Sequence, residues 1–224
     1  MAPGTLVDFN QAPFLVIWEV TRACALACVH CRADAIPHRN PCELTTEQGF
    51  RLIDQVRAFG PRPPLLVLTG GDPMRRPDLA ELVRYGAEAG LTVALTPSGT
   101  AAATPARLAE LKAAGLSRVA VSLDGPTPET HDAFRRVRGS YAWTMRIIDA
   151  TIELGLPLQI NSTISRMTLR NPDALAGKCG RCRFRAICGG SRSRAFAATG
   201  NALASDALCA YDPGEVIEPP VAGP

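Results

Sequence analysis

Aromatic residues make up only 5% of the 224-residue chain, which leaves little material for stacking on nucleic-acid bases. Apolar residues are plentiful, yet none of their runs approaches the roughly eighteen positions that a membrane-spanning helix needs, so no span is expected. The charge balance, 24 Lys and Arg against 21 Asp and Glu, is too even to argue for nucleic acid or a lipid surface as partner. The segment from Met1 to Pro13 has neither a basic start nor an apolar centre. It does not read as a secretory signal, and a cytoplasmic location is expected. With 46% hydrophobic and 20% charged residues, the chain is globular, sized for one large domain or a medium domain with a small appendage.

Cysteine, by contrast, is abundant and clustered. The eight cysteines fall as Cys24, Cys28 and Cys31, then Cys42 alone, then Cys179, Cys182, Cys188 and Cys209. Without an export signal, a reducing compartment is expected, where clustered cysteines hold metal more often than they form disulfides. Three thiols in Cys24-Ala-Leu-Ala-Cys28-Val-His-Cys31 converge only if the chain loops tightly around one object, and a metal is the natural object. Three thiolates on a cluster of four irons would leave one iron open to another ligand. A zinc site completed by His30 or a distant residue, part of a disulfide framework, and accidental clustering are the alternatives. Cys42, between Pro41 and Glu43, reads as an ordinary loop thiol.

The rest of the chain alternates between two patterns. Phe14 to Val20 is a short apolar run with β-branched and aromatic members, expected to be a strand buried on both faces. Thr45 and Gln48 have capping-box spacing, and Phe50, Ile53, Val56 and Phe59 recur every three residues along a helix that Gly60-Pro61 stops. Leu65 to Leu68 is a second strand, followed by Thr69-Gly-Gly-Asp-Pro73. A helix from about Pro77 to Ala89, a strand over Leu91 to Leu95, a helix capped by Thr104-Pro105 and a strand over Arg118 to Leu123 continue the rhythm. A helix from near Ser140 and a strand from Leu158 to Ile164 complete it. Five strands alternating with four helices predict a parallel α/β sheet, doubly wound or curled as a barrel, with ligands at the carboxyl ends of the strands. The glycine-rich and polar stretches fall at those ends: Gly70, Gly71 and Asp72 after the second, Ser98 after the third, Ser122 and Asp124 at the fourth, Asn161 in the fifth.

On these residues the chain resembles the radical S-adenosylmethionine (SAM) enzymes, whose CxxxCxxC motif is matched by Cys24, Cys28 and Cys31. The resemblance implies a partial, incomplete parallel β/α barrel and a 4Fe-4S cluster whose open iron binds SAM. It also implies reductive cleavage to a 5'-deoxyadenosyl radical that abstracts hydrogen from a substrate. Gly70-Gly71-Asp72-Pro73 resembles the family's glycine-rich motif, in which Asp72 would accept from the methionine ammonium. Ser122 and Asp124 match a fourth-strand motif near the ribose and carboxylate, while Ser98 and Asn161 occupy positions that line the SAM pocket. Arg135 is a weaker candidate for carboxylate pairing, its alternative being an exposed arginine at a helix start. His30 occupies a slot where relatives place a ring near adenine, and is not expected to bind metal.

The carboxyl-terminal cysteines resemble the SPASM/Twitch extension of radical SAM maturases, implying a second 4Fe-4S cluster on Cys179, Cys182, Cys188 and Cys209. A four-cysteine zinc knuckle is the alternative. The run Cys188-Gly-Gly-Ser-Arg-Ser-Arg-Ala-Phe196 looks most like members linked to haem d1 and alternative haem synthesis, so a tetrapyrrole or a peptide is the expected substrate, with ferredoxin or flavodoxin as reductant. Lys178, Arg181, Arg183, Arg185, Arg192 and Arg194 surround these cysteines with only Phe184 and Phe196 interleaved. That is poor support for nucleic acid. The expected organisation is a barrel over 1–165, a cysteine-rich segment over 175–213 and a flexible tail over 214–224. Cys179 arrives too soon after the fifth strand for another crossover and strand, so the chain reads as internally shortened, with an open edge on that strand. A shortened, catalytically impaired SAM- or peptide-binding member with a structural metal knuckle is the second expectation.

Overall fold

The computed structural model describes residues 12–163, 165, 174–185, 188, 190–201 and 203–213. Among them, one open sheet holds β1 (Leu15–Thr21), β2 (Leu65–Gly70), β3 (Val93–Leu95), β4 (Arg118–Ser122) and β5 (Leu158–Asn161) in that order. Every pairing is parallel. The connections carry α1 (Thr46–Arg57), α2 (Leu79–Glu88), α3 (Pro105–Ala113), α4 (Pro128–Arg135) and α5 (Ser140–Glu153), and two short helices follow, α6 (Gly177–Arg181) and α7 (Arg192–Thr199). No helix among the described residues is long and apolar enough to cross a membrane. The expected tail over 214–224, and most of the expected junction between Ile164 and Lys178, lie outside the described residues.

Local chemistry explains the starts of the helices. The Thr45 hydroxyl accepts the Gln48 N–H, and the Gln48 side chain accepts the Thr45 N–H at 2.8 Å. Two donors that a helix start leaves unpaired are thereby satisfied. Thr104-Pro105 and Thr127-Pro128 begin α3 and α4 the same way, with the threonine hydroxyl accepting from the third residue on. Helices pack on the sheet face formed by Trp18, Val20, Leu66, Leu68, Val93, Leu95, Val119 and Val121, against Ile53, Leu82, Leu108, Leu111 and Ile147. Each such side chain removed from water contributes about 1.5–3 kcal/mol.

A buried cation locks this layer to the loops above it. Arg76 is 1% exposed, and it donates to both Asp78 oxygens at 2.8 Å, to the Val20 carbonyl at 3.0 Å and to the Leu44 carbonyl at 2.9 Å. Its guanidinium also lies 5.5 Å over the Trp18 ring. A charge this deep is tolerated because its hydrogen bonds are met. Since Asp78 pairs with Arg76, it makes no side-chain cap for α2, which begins at Leu79 rather than at Pro77.

Several expectations are corrected. β1 is not buried on both faces: Leu15 and Ile17 are exposed because the described helices cover only the opposite side. Phe59 lies past the end of α1 and is exposed, the helix having closed at Ala58 before Gly60. β3 begins at Val93, two residues later than expected. β5 ends at Asn161: beyond the Leu123 N–H bond to the Asn161 carbonyl at 2.8 Å, side chains take over, the Ser162 hydroxyl donating to the Leu123 carbonyl and Asp124 accepting the Thr163 N–H at 2.8 Å. Among the described residues β5 pairs only with β4 and its residues are largely exposed, as the expected open edge requires. A fifth connecting helix, α4, had no counterpart in the sequence reading.

Candidate active site

β1 leads directly into the cysteine loop. That loop folds back on itself: Cys24 N–H donates to the Ile36 carbonyl at 2.9 Å, and Ile36 N–H to the Arg22 carbonyl at 3.0 Å. Cys24 is buried, Cys28 half-buried and Cys31 exposed. Burial pushes the Cys24 thiol up, against the hydrogen bond from Leu26 N–H that favours the thiolate. No two of the described cysteines are joined by a disulfide. The three thiols share one loop, but no three Cys, His, Asp or Glu side chains among the described residues meet as ligands of a single metal ion.

The loop after β2 is packed against this one. Gly70 has φ +138°, and a Cβ on it would lie 2.1 Å from the Thr21 carbonyl oxygen; one on Gly71 would lie 2.5 and 2.6 Å from the Arg22 and Ala23 carbonyls. Gly71 N–H and Asp72 N–H donate to Thr21 and Ala23 at 2.7 Å each. The glycines are therefore demanded by the approach of two backbones. Asp72, which the resemblance pairs with a ligand ammonium, is fully buried. One oxygen accepts from Met74 N–H at 3.2 Å and Ser98 N–H at 3.5 Å, the other from the Thr100 hydroxyl at 2.5 Å. Burial raises its pKa and the Thr100 bond opposes the rise. Pro73 opens a single 3-10 turn, and the Ser98 hydroxyl donates to the Gly71 carbonyl. Asp72 thus braces the loops after β2 and β3 against each other.

β4 and α4 complete the arrangement. Ser122 stands opposite Asn161 in the β4–β5 register, and the exposed Asn161 amide oxygen accepts from Gln159 at 2.8 Å. Asp124 is buried, and its N–H donates to Nδ1 of His131 at 3.2 Å, so that ring carries its proton on Nε2. Burial, reinforced by the neighbouring Arg135 cation, lowers the His131 pKa and keeps it neutral. Asp124 Oδ2 lies 2.5 Å from Nη2 of Arg135. Arg135 is not an exposed helix-start residue: it ends α4, is 6% exposed, and points Nη1 at the Cys28 sulfur, 3.5 Å away. Its buried Nε and Nη2, and Asp124 Oδ2, make no hydrogen bond among the described residues, so Asp124 and Arg135 meet as a bare ion pair.

α4 also grips the cysteine loop through its carboxyl end. Ala27 N–H donates to the Arg135 carbonyl at 3.3 Å and Val29 N–H to the Phe134 carbonyl at 3.0 Å, filling acceptors that a helix end leaves open. His30 stacks on Phe134, with ring centroids 4.4 Å apart and planes at 15°. Burial, then Arg135, lowers the His30 pKa. Phe134, Thr100 and His131 were not singled out in the sequence; the Thr127-Pro128 pair, a cap signal ahead of them, could have found two of the three.

At the other end, Cys179, Cys182, Cys188 and Cys209 line one pocket with Lys178, Arg185 and Tyr211. The Cys179 sulfur accepts from Asp206 N–H at 3.2 Å and the Cys182 sulfur from Phe184 N–H at 3.4 Å. Asp206 also accepts from Ser191 N–H at 2.8 Å and pairs with Arg194, which joins α7 to the pocket rim.

Residues 18–172 match the Radical SAM superfamily, and the chain belongs to that superfamily. It is 44% identical over 167 residues to the AdoMet-dependent heme synthase of Oleidesulfovibrio alaskensis, covering 75% of this chain and 42% of that one. It is 38% identical over 158 residues to the PqqA peptide cyclase of Ruegeria pomeroyi, covering 70% and 41%. The chain thus spans less than half the length of the curated relatives it matches. Among solved structures, anSMEcpe with bound AdoMet aligns at TM-score 0.59 and 17% identity, over 70% of this chain and 45% of that one. The open five-stranded sheet is therefore the partial barrel of this superfamily, whose cofactors are a 4Fe-4S cluster and SAM.

The residues present fit those cofactors. Three thiols on one loop form a soft donor set suited to iron-sulfur ligation. A buried, partly unpaired guanidinium beside one of them offers donors to an anionic group.

Proposed function

We propose that this chain is a radical SAM enzyme in which Cys24, Cys28 and Cys31 hold the 4Fe-4S cluster and the Gly70–Pro73 loop borders SAM. When bound, the two cofactors supply reductive cleavage of the sulfonium and a 5'-deoxyadenosyl radical for hydrogen abstraction. The observation that carries the reading is the packing of the cysteine loop against the Gly70–Asp72 backbone at the carboxyl ends of β1 and β2. The chain's own work is positional: Asp72, Ser98 and Thr100 brace the loops, Asp124 and Arg135 set a charged pair beside Cys28, and Ser122 and Asn161 border the same sheet end.

The substrate is a tetrapyrrole on this reading, supported by the 44% identical heme synthase; a peptide is the alternative, supported by the 38% identical cyclase. The electron comes from a ferredoxin or flavodoxin. A second cluster sits on Cys179, Cys182, Cys188 and Cys209, supported by the four cysteines lining one pocket. The division is a barrel over 1–165 and a cysteine-rich segment over 175–213.

Anaerobic reconstitution with iron and sulfide, followed by metal analysis and a 5'-deoxyadenosine assay under reductant, tests the reading. Iron at both sites and deoxyadenosine that disappears in Cys24→Ala are expected; protein holding only zinc overturns it. The β5 edge, unpaired among the described residues, favours a second reading, a cofactor-binding member without turnover. Iron-loaded protein that forms no deoxyadenosine with any reductant would establish that one instead.

A further inference from the structure

We infer that Arg135 is a positioning residue that makes the site on Cys24, Cys28 and Cys31 easier to reduce, by donating an N–H···S hydrogen bond to Cys28 while Asp124 fixes its guanidinium. The inference rests on the reading of those cysteines as a cluster site. One planar group serves both contacts: Nη1 faces the Cys28 sulfur at 3.5 Å and Nη2 faces Asp124 at 2.5 Å. Arg135 and Asp124 meet as an ion pair without a hydrogen bond between Nη2 and Oδ2, so the carboxylate's charge keeps the guanidinium beside the sulfur while Nη1 supplies the donor. Asp124 is itself held by Thr163 N–H on its other oxygen, and its backbone by His131.

Burial gives the contact its strength. Arg135 is 6% exposed and Asp124 3%, so little water screens them. Arginine stays charged under all working conditions. The backbone bonds from Ala27 and Val29 to the last carbonyls of α4, with the stacking of His30 on Phe134, fix sulfur and guanidinium to the same small frame. Reduction adds one electron, supplied by an external low-potential donor, and makes the site one unit more negative. A nearby cation and a hydrogen bond to a ligand sulfur both favour that more negative state.

The test is a midpoint potential. Wild-type protein, Arg135→Lys and the double variant Asp124→Asn/Arg135→Met are reconstituted anaerobically without SAM, poised with titanium(III) citrate, and read by electron paramagnetic resonance. The relevant signal is the one absent from Cys24→Ala. The double variant avoids leaving a buried carboxylate unpaired, and its potential is expected to shift negative; Arg135→Lys, which keeps the charge but loses the fork, shifts less in the same direction. Unchanged potentials at wild-type iron content overturn the inference, even if SAM binding weakens, since Arg135 would then serve the ligand alone. Loss of iron from both variants also overturns it, making Arg135 a folding element of the loop. A wild-type protein that takes up no iron refutes the assignment of the site itself.

Discussion

Replacing Gly70 with alanine tests the central packing directly. The residue sits at φ +138°, where an L side chain is strained, a term of about 1–3 kcal/mol. Its new Cβ would also meet the Thr21 carbonyl oxygen at 2.1 Å. That neighbour is backbone held by β1, so relief requires moving one loop off the other, at about 1–3 kcal/mol more. The sum, about 2–6 kcal/mol, is a large share of the 5–15 kcal/mol that typically separates folded from unfolded chains. Gly60 provides the control, with φ +128° and nothing within 4 Å of its Cβ position, so Gly60→Ala carries only the conformational part. Urea unfolding followed by circular dichroism reads both. Gly70→Ala is expected to lower the midpoint by more than Gly60→Ala, the gap corresponding to about 1–3 kcal/mol at unchanged slope. Two equal midpoints would refute the claim that the glycine is there for the approach of the loops.

Two further outcomes are expected. Thr45→Ala removes one half of the capping box of α1 and should reduce stability by about 1 kcal/mol in thermal melts. The Arg194 hydrogen bond holds the Asp206 carboxyl well below the usual carboxylate range, so its stabilising effect is full above the unfolded carboxylate pKa of about 4 and is lost as pH falls toward the folded value. The advantage of wild type over Asp206→Asn in amide protection of α7 should accordingly be present at neutral pH and shrink under acid; an advantage that grew under acid would contradict the pairing.

The sheet was legible because its strands are apolar runs punctuated by glycine and proline, and α1 because Thr45 and Gln48 carry their own start signal. α4 escaped notice for a physical reason. Its buried positions are Thr130, His131, Phe134 and Arg135, mostly polar, so no apolar period marks it. The burial of those side chains is decided by Asp124 and the cysteine loop, more than a hundred positions away in the case of Cys28. The burial of Asp72 was equally hidden, since it depends on Thr100, whose place beneath the loop follows from the pairing of β2 with β3. The exposed face of β1 shows the same limit: a run such as Leu15 to Val20 records what could be buried, while the helices decide which side is.

The strand order also sets a timetable for folding. Each strand pairs with the one before it, and the first registered pairs span 27 residues from Leu66 to Val93, 24 from Ala94 to Arg118 and 39 from Val119 to Leu158. The first closure, Leu15 to Leu65, spans 50. Chain-closure entropy rises with span, and contacts distant in sequence form late. The cysteine loop lies inside that longest closure. Any ligand that ties residues 24–31 together shortens the stretch still to be closed, which slightly lowers the closure cost of the sheet edge on which the loop stands.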